Sequence, residues 1–378
     1  MPQSLLFTPL RLRGVEFRNR VAIAPMCQYS AEDGTANDWH FVHLGRFALG
    51  GAGLVIVEAT GVEPEVRITY GDLGLWNETQ ERELARIAGF LKSQGAAAGI
   101  QLAHAGRKAS TRVPWNGGGP VGPEHVAQGE QAWPVVAPSA QPFTEGWFTP
   151  HELTVDELAR IKASFVTAAE RAERAGFDVV EVHAAHGYLL HQFLSPTANE
   201  RTDAYGGDRE GRMRFPLEVV EAVRAVWPEF KPLFVRISAV DETALTIEDS
   251  VAFARELKAR GVDLVHVSSG GIATGPGTTP IRAFPGYQVA HAAAVRAGAE
   301  VPTAAVGLIN DADQAEAVLQ RGKADLIALG RAALDDPNWA LHARLALEGP
   351  EPAFDSAPLP VGYALAGREK ALARAQAD

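Results

Sequence analysis

Eight short apolar runs, each followed by an amphipathic stretch, constrain the fold of this chain more than any other feature. The runs are almost continuously apolar rather than alternating, which is typical of parallel strands covered on both faces. They lie at residues 20–26, 53–61, 97–106, 178–186, 232–240, 263–271, 302–309 and 325–332. Eight strand–helix repeats predict an α/β protein with one (β/α)8 (TIM) barrel domain over residues 1–378, its core at about 20–348.

The stretches between the apolar runs have helical periodicity. They lie at residues 78–94, 154–175, 209–227, 246–260, 311–321 and 337–347, with weaker examples near 40–50 and 286–298. Thr154 with Glu157, and Asp311 with Gln314, have the spacing of helix-capping pairs. A doubly wound open sheet is the alternative, and it is disfavoured because no run has the character of an edge strand.

Three segments depart from this alternation of strands and helices. Residues 1–19 alternate like a short hairpin, which we expect to cap one end of the barrel. Residues 106–150 form a long Gly/Pro/Trp-rich excursion after the third strand, and loops of this length are usually functional. Residues 349–378 form a proline-containing tail with a charged helical end.

Composition excludes several classes of function. The net charge of −11 argues against general binding of nucleic acids or anionic membranes. The single cysteine, Cys27, excludes an intrachain disulfide and an all-thiolate metal or iron–sulfur site. No run reaches the length of a signal peptide's apolar core or of a membrane span, so we expect a cytoplasmic protein.

The active site of a TIM barrel lies at the carboxyl ends of its strands. The residues expected there are Cys27, Tyr29, Ala59, Thr60, Gln101, His104, His183, His186, Tyr188, Arg236, Ser268, Ser269, Gly307, Gly330 and Arg331. Loops after the seventh and eighth strands of this fold often bind phosphate, and Gly307, Gly330 and Arg331 would form such a cradle.

Each of these features has a simpler interpretation. A glycine after a strand is often a turn residue, Arg331 could form a surface ion pair, and His183 and His186 could be packed structural residues. The two histidines could also bind a metal, but a third ligand at zinc-site spacing is missing, so no metal is expected. The G-x-G-x-x-G sequence at 117–122 follows no strand and opens no helix in this prediction, which rejects a Rossmann dinucleotide site.

Several long motifs carry a resemblance to a known family. They are VAIAPMCQYSA at 21–31, GIQLAHAGRKA at 99–109, VEVHAAHGYLLHQFLSPTANERTDAYGGDREGRMRF at 180–215, LFVRISA at 233–239, AAVGLI at 304–309 and IALGRAALDDP at 327–337. The chain resembles the old yellow enzyme family of flavin-dependent ene reductases, most closely its bacterial YqjM-like branch. The resemblance implies a TIM barrel with non-covalent FMN, which NADPH or NADH reduces and which then reduces an electron-poor C=C bond.

The resemblance also implies a role for each matching residue. Flavin contacts would come from Ala24, Pro25, Met26, Cys27, Ala59, Gln101 and Arg236, with the phosphate held by Gly307, Gly330 and Arg331. His183 and His186 would bind the substrate carbonyl oxygen, and Tyr188 would donate the proton. Tyr29 and Lys108 would line the substrate pocket.

Two departures from the family pattern concern the tail and the excursion. In the branch, a tail arginine enters the neighbouring subunit's site, which implies a homodimer or homotetramer. Here Tyr363 is retained, Leu365 stands where the arginine would fall, and Arg368 follows three residues later. The excursion carries Trp115 and two further tryptophans, Trp133 and Trp147, and is expected to shape substrate preference.

Three other functions compete with that of an ene reductase. Larger relatives with an iron–sulfur cluster need more cysteines than this chain has. A flavin enzyme acting on tRNA is opposed by the acidic net charge. A flavin-binding protein without activity is disfavoured by the intact set of His183, His186 and Tyr188.

Overall fold

The predicted barrel is present. The computed structural model describes residues 4–275 and 277–377, so predictions for residues 1–3 and 378 lie outside the described part of the chain. Its strands are β1 (Leu10–Leu12), β2 (Val15–Phe17), β3 (Val21–Ile23), β4 (Leu54–Gly61), β5 (Ala97–Ala103), β6 (Val136–Ala137), β7 (His151–Glu152), β8 (Val179–Ala184), β9 (Leu233–Ser238), β10 (Leu264–Ser268), β11 (Thr303–Ala305) and β12 (Leu326–Leu329). Strands β3, β4, β5 and β8 to β12 pair in parallel, in chain order, and close on themselves. The alternative of an open sheet is therefore wrong.

Helices follow the barrel strands and cover them. They are α1 (Asp38–Leu49), α2 (Glu78–Ser93), α3 (Pro123–Val126), α4 (Val155–Arg174), α5 (Leu189–Leu194), α6 (Arg209–Val226), α7 (Ile247–Ala259), α8 (Val289–Ala299), α9 (Ala312–Gln320), α10 (Arg331–Asp335), α11 (Trp339–Glu348), α12 (Pro350–Asp355) and α13 (Leu359–Ala377). Thr154 and Glu157 form the predicted reciprocal capping box of α4. Asp311 accepts from the backbone of Gln314, whereas the Gln314 side chain accepts from Asn310, so that cap is only half of a box.

The amino-terminal hairpin plugs the barrel at the amino ends of its strands. Strands β1 and β2 pair antiparallel. Phe17 is fully buried and packs edge-to-face on Phe234, with 6.3 Å between the ring centroids. It belongs to an apolar cluster made by the first inward-facing residues of the barrel strands, among them Leu54 and Val179. The predicted cap is thus confirmed, and the opposite end is left for the site.

The long excursion contains short structured pieces rather than a featureless loop. Strands β6 and β7 pair with each other, and α3 begins directly after Gly122. The expectation that the G-x-G-x-x-G sequence opens no helix is therefore wrong, because a four-residue helix follows it. No strand leads directly into this sequence, because a short 3-10 turn (Pro114–Asn116) precedes it. The described part of the excursion therefore lacks the strand–turn–helix unit that a Rossmann site requires.

The tail is helical, as predicted, and packs on the barrel's last helices. Phe354 of α12 is buried against Leu341 of α11, and Leu365 packs against the same cluster. Tyr363, by contrast, is 86% exposed. Among the described residues, no helix is long and apolar enough to cross a membrane.

Candidate active site

The two histidines of HAAHGY meet at the carboxyl end of β8. His183 Nδ1 accepts from the Ala185 N–H at 3.2 Å, so the proton of its neutral ring is on Nε2. That Nε2 lies 3.4 Å from His186 Nδ1, and His186 Nε2 lies 2.7 Å from the Ser268 hydroxyl. Burial, and then the charge of Arg236, lower the pKa of both histidines well below the ordinary value. Both rings are therefore neutral near pH 7.

The backbone of His186 is held in an uncommon conformation. Its φ of +57° lies in the left-handed region, which costs a non-glycine residue about 1–3 kcal/mol. The N–H of His186 donates to Ser238 Oγ at 3.0 Å, and its carbonyl accepts from Lys108 Nζ at 2.8 Å. Lys108 Nζ also donates to the Gly271 carbonyl at 3.0 Å. The last residues of β9 and β10, Ser238 and Ser268, and Lys108 in the loop after β5 thus hold this histidine in place.

Tyr188 stands beside this pair. Its ring meets His183 edge-on, with 4.9 Å between centroids, and Lys108 Nζ lies 5.1 Å from the Tyr188 ring centroid. Burial, with the nearby Cys27 and Tyr29, raises the pKa of Tyr188 well above its ordinary value. The phenol therefore keeps its proton at neutral pH.

Residues 24–29 form the wall contributed by the first barrel strand. The N–H of Ala24 donates to the Leu329 carbonyl at 2.9 Å, and Pro25 and Met26 follow in irregular backbone. Burial raises the pKa of the Cys27 thiol well above its ordinary value, so it is a thiol and not a thiolate. Tyr29 has a left-handed φ of +52° and packs on Trp115 at 5.8 Å.

Other predicted residues lie around this wall. A register shift between Val57 and Ala59 marks an irregularity of β4 beside β5. Thr60 is buried and donates to the Glu58 carbonyl at 2.8 Å. His104 is buried, and its Nδ1 accepts from the Gly106 N–H at 3.0 Å. Of the three tryptophans in the excursion, Trp115 is the one that packs on a predicted pocket residue; Trp133 stacks under Arg67 and Trp147 meets Phe143.

The apolar cluster around Phe17, Leu54 and Val179 forms the apolar floor of the barrel interior. A layer of four polar side chains crosses the barrel directly above this floor. We call it the polar layer; its members are Gln101, Glu181, Arg236 and His266. Glu181 Oε1 accepts from Gln101 Nε2 at 2.7 Å, and Glu181 Oε2 lies 2.8 Å from His266 Nδ1. Arg236 is 8% exposed, and its Nε is buried with no hydrogen-bond partner among the described residues.

Sequence reasoning missed two members of the polar layer, Glu181 and His266. The signal was present: a glutamate interrupts the apolar run at 178–186, and a histidine interrupts the run at 263–271. Each follows an apolar-floor residue, Val179 or Leu264, by two positions. Because side chains alternate along a strand, that spacing places both inside the barrel.

The predicted phosphate cradle borders a cavity of about 280 Å³. Gly307, Gly330 and Arg331 line it together with His186, Arg236 and Ser269. Gly307 has a φ of +118°, and a Cβ there would lie 3.0 Å from the Tyr287 ring, so this position requires glycine. Within the described residues, no carboxylate lies within salt-bridge distance of Arg331, which removes the surface ion pair as an explanation. The structure brings the three predicted residues together.

No group of three His, Cys, Asp or Glu side chains within residues 4–275 and 277–377 has the geometry of a metal site. The histidine pair instead contacts a serine hydroxyl and a phenol ring. The arrangement can bind an oxygen atom between two neutral N–H donors, next to a protonated phenol.

Comparison with known proteins agrees with this picture. The NADH:flavin oxidoreductase / NADH oxidase family matches the chain over residues 5–348. The NADPH dehydrogenase of Geobacillus thermodenitrificans (strain NG80-2) is 46% identical over 344 residues, covering 90% of this chain and 94% of that protein. The NADPH dehydrogenase of Bacillus subtilis (strain 168) is 43% identical over 352 residues, covering 92% and 96%. Among solved structures, morphinone reductase has a TM-score of 0.74 at 30% identity, covering 91% of this chain and 90% of its own.

Proposed function

The chain belongs to the NADH:flavin oxidoreductase / NADH oxidase family of FMN-dependent enzymes, and on that premise we propose that it is an ene reductase. Its substrates are small α,β-unsaturated carbonyl compounds or related electron-poor alkenes. When bound, FMN supplies the hydride that it has received from NADPH or NADH. The chain's own residues must hold the acceptor by its oxygen and deliver a proton.

The observation that carries the proposal is the spacing of the histidine pair. With 3.4 Å between His183 Nε2 and His186 Nδ1, one carbonyl oxygen can accept from both rings. His183 presents Nε2–H, and His186 presents Nδ1–H whenever the Ser268 hydroxyl donates to its Nε2. Addition of hydride to the β-carbon makes an enolate, so negative charge grows on this oxygen. Losing one such donor typically costs about 3–4 kcal/mol of transition-state stabilisation.

The proton for the α-carbon comes from Tyr188 in this proposal. Its raised pKa keeps the phenol protonated at neutral pH, and its ring lies against His183. A positioned acid of this kind contributes about 10²–10⁴-fold to a rate. Tyr29 and Lys108 complete the substrate pocket.

The residues present fit FMN. Arg236 has a buried Nε without a partner among the described residues, as expected of a group whose acceptor is a ligand. A cation beside a flavin favours its reduced, anionic form, which is the role we assign to Arg236. The phosphate would be held by Gly307, Gly330 and Arg331, which border one cavity with Arg236. Gln101, Ala59 and residues 24–27 would supply the remaining contacts.

A flavin-binding protein without activity is the competing proposal, and a turnover assay separates the two. The FMN-loaded protein should oxidise NADPH or NADH anaerobically when 2-cyclohexenone is added, with cyclohexanone as the product. The double variant His183→Ala/His186→Ala serves as the matched control and should lose most of this activity while it keeps FMN. Failure to form a saturated product from a panel of enones, maleimides and nitroalkenes would sink the proposal.

A further inference from the structure

The polar layer contains a carboxylate that the proposed reaction does not use. Glu181 is fully buried in the middle of β8, below the histidine pair. It is opposite Gln101 of β5 in register, and Arg236 of β9 is opposite both His183 and His266. A buried carboxylate is costly unless it is paired and hydrogen-bonded, so its partners indicate what it does.

The first partner is the amide of Gln101. An ionised carboxylate can only accept hydrogen bonds, so the 2.7 Å contact must come from an N–H of Gln101 Nε2. This contact fixes which end of the amide faces Glu181. The Oε1 atom of Gln101 is therefore the end left to accept from a ligand. A neutral amide at position 181 could instead donate to Oε1 and turn the Gln101 amide around.

The second partner of Glu181 is His266, and it determines the charge of the polar layer. His266 is buried, which lowers its pKa, so it is a neutral ring that donates Nδ1–H to Glu181 Oε2 at 2.8 Å. Burial disfavours the carboxylate, but His266, Arg236 and Gln101 together outweigh burial and lower the pKa of Glu181. The polar layer therefore holds one anion, Glu181, and one cation, Arg236.

We propose that Glu181 is a positioning residue for the flavin: it orients the amide of Gln101, and its negative charge lowers the reduction potential that Arg236 raises. The inference rests on the proposed function only for FMN being bound next to the polar layer. It concerns the equilibrium between oxidised and reduced flavin and does not depend on which alkene is reduced.

The test is the midpoint potential of the bound FMN in Glu181→Gln, measured anaerobically against a reference dye. Removing the anion should favour reduced flavin at least tenfold, a shift of about 30 mV or more to positive potential for a two-electron couple. The dissociation constant of FMN should also rise, because the Gln101 amide is no longer oriented. Glu218→Gln is the matched control: it removes a carboxylate that pairs with Lys162 outside the barrel, at 3.1 Å. Its potential should stay within about 14 mV of wild type, which is a threefold change in the equilibrium between oxidised and reduced flavin.

A second variant covers the case in which Glu181→Gln does not fold. In Glu181→Gln/His266→Glu the carboxylate moves two strands along the barrel, to a position opposite Arg236 in register. The net charge of the polar layer is kept, so the potential should return to within about 14 mV of wild type, a threefold change in the flavin equilibrium. A double variant that favours reduced flavin tenfold or more would overturn the inference, as would a single variant with an unchanged or more negative potential.

The two proposals fail separately. A positive shift in Glu181→Gln, together with no turnover of any alkene by wild type, would leave this inference standing and remove the ene reductase. Normal alkene turnover by wild type, with an unchanged potential in Glu181→Gln, would refute this inference and leave the ene reductase standing.

Discussion

Gly271 controls where His186 lies, and Gly271→Ala should therefore damage catalysis without emptying the flavin site. A Cβ at this position would lie 2.5 Å from the carbonyl carbon of His186 and 2.6 Å from its Cα and O. Ordinary contacts of this kind are about 3.5–4.0 Å. The backbone of His186 would have to move by about 1 Å, and that backbone is already bound by Ser238 and Lys108.

Gly271→Ala should lower the free energy of unfolding for two reasons, which a matched variant separates. Gly271 has a φ of +98°, so alanine there carries backbone strain of about 1–3 kcal/mol, and the clash adds about 1–3 kcal/mol of overpacking. Gly176 has a similar φ of +84°, but a Cβ there would meet no described atom within 4 Å. Gly176→Ala should therefore show the strain alone.

The assay is enone turnover by the FMN-loaded variants, with unfolding in urea measured in parallel. A misplacement of 1 Å in a catalytic group can cost about 100-fold in rate, which is the loss we expect for Gly271→Ala. Gly176→Ala should lose stability but turn over the enone like wild type. Equal enone kinetics in the two variants would refute the reasoning that close packing of Gly271 sets the position of His186.

Three further predictions concern the hairpin, the thiol and the tail. Phe17→Ala should lower the free energy of unfolding in urea by about 3–5 kcal/mol, because it empties the barrel floor, while FMN content stays normal; an unchanged stability would contradict the plug. Cys27→Ala should keep its turnover, because burial raises the pKa of Cys27 and leaves it a thiol rather than a nucleophilic thiolate. Its flavin potential should shift, and complete loss of turnover with FMN still bound would refute this prediction. Deletion from Pro358 onward should reduce both the number of subunits per particle, measured as mass in solution, and the enone affinity. The reason is that the exposed Tyr363 is expected to reach a neighbouring subunit. A deletion that changes neither measurement would contradict a shared site.

The barrel could be predicted from sequence because parallel strands covered on both faces need unbroken apolar runs. All eight runs contain a strand, and every strand except β4 ends earlier than its run. The run at 302–309 shows the reason: its strand ends at Ala305, since Gly307 and Leu308 both take left-handed conformations and Gly307 lines the cavity. Residues at the carboxyl ends leave the strand in order to form the site.

The contacts inside the site could not be predicted in the same way. His186 is bound by Lys108, 78 residues away, and by Ser268, 82 residues away, and no local pattern encodes such pairs. The left-handed turn at His186 has no sequence signal either, because it depends on the close approach of Gly271. Motif resemblance supplied the residues of the site, and the closed barrel explains why they meet.

The central claim is that His183 and His186 bind the carbonyl oxygen while Tyr188 donates the proton. Rapid-mixing kinetics of Tyr188→Phe test this claim most directly. The substitution removes the phenol O–H and keeps the ring, so FMN binding and flavin reduction by NADPH should change little. Re-oxidation of the flavin by 2-cyclohexenone should slow by about 10²–10⁴-fold, because the general acid is lost. A re-oxidation rate equal to wild type, for several enones, would contradict the account.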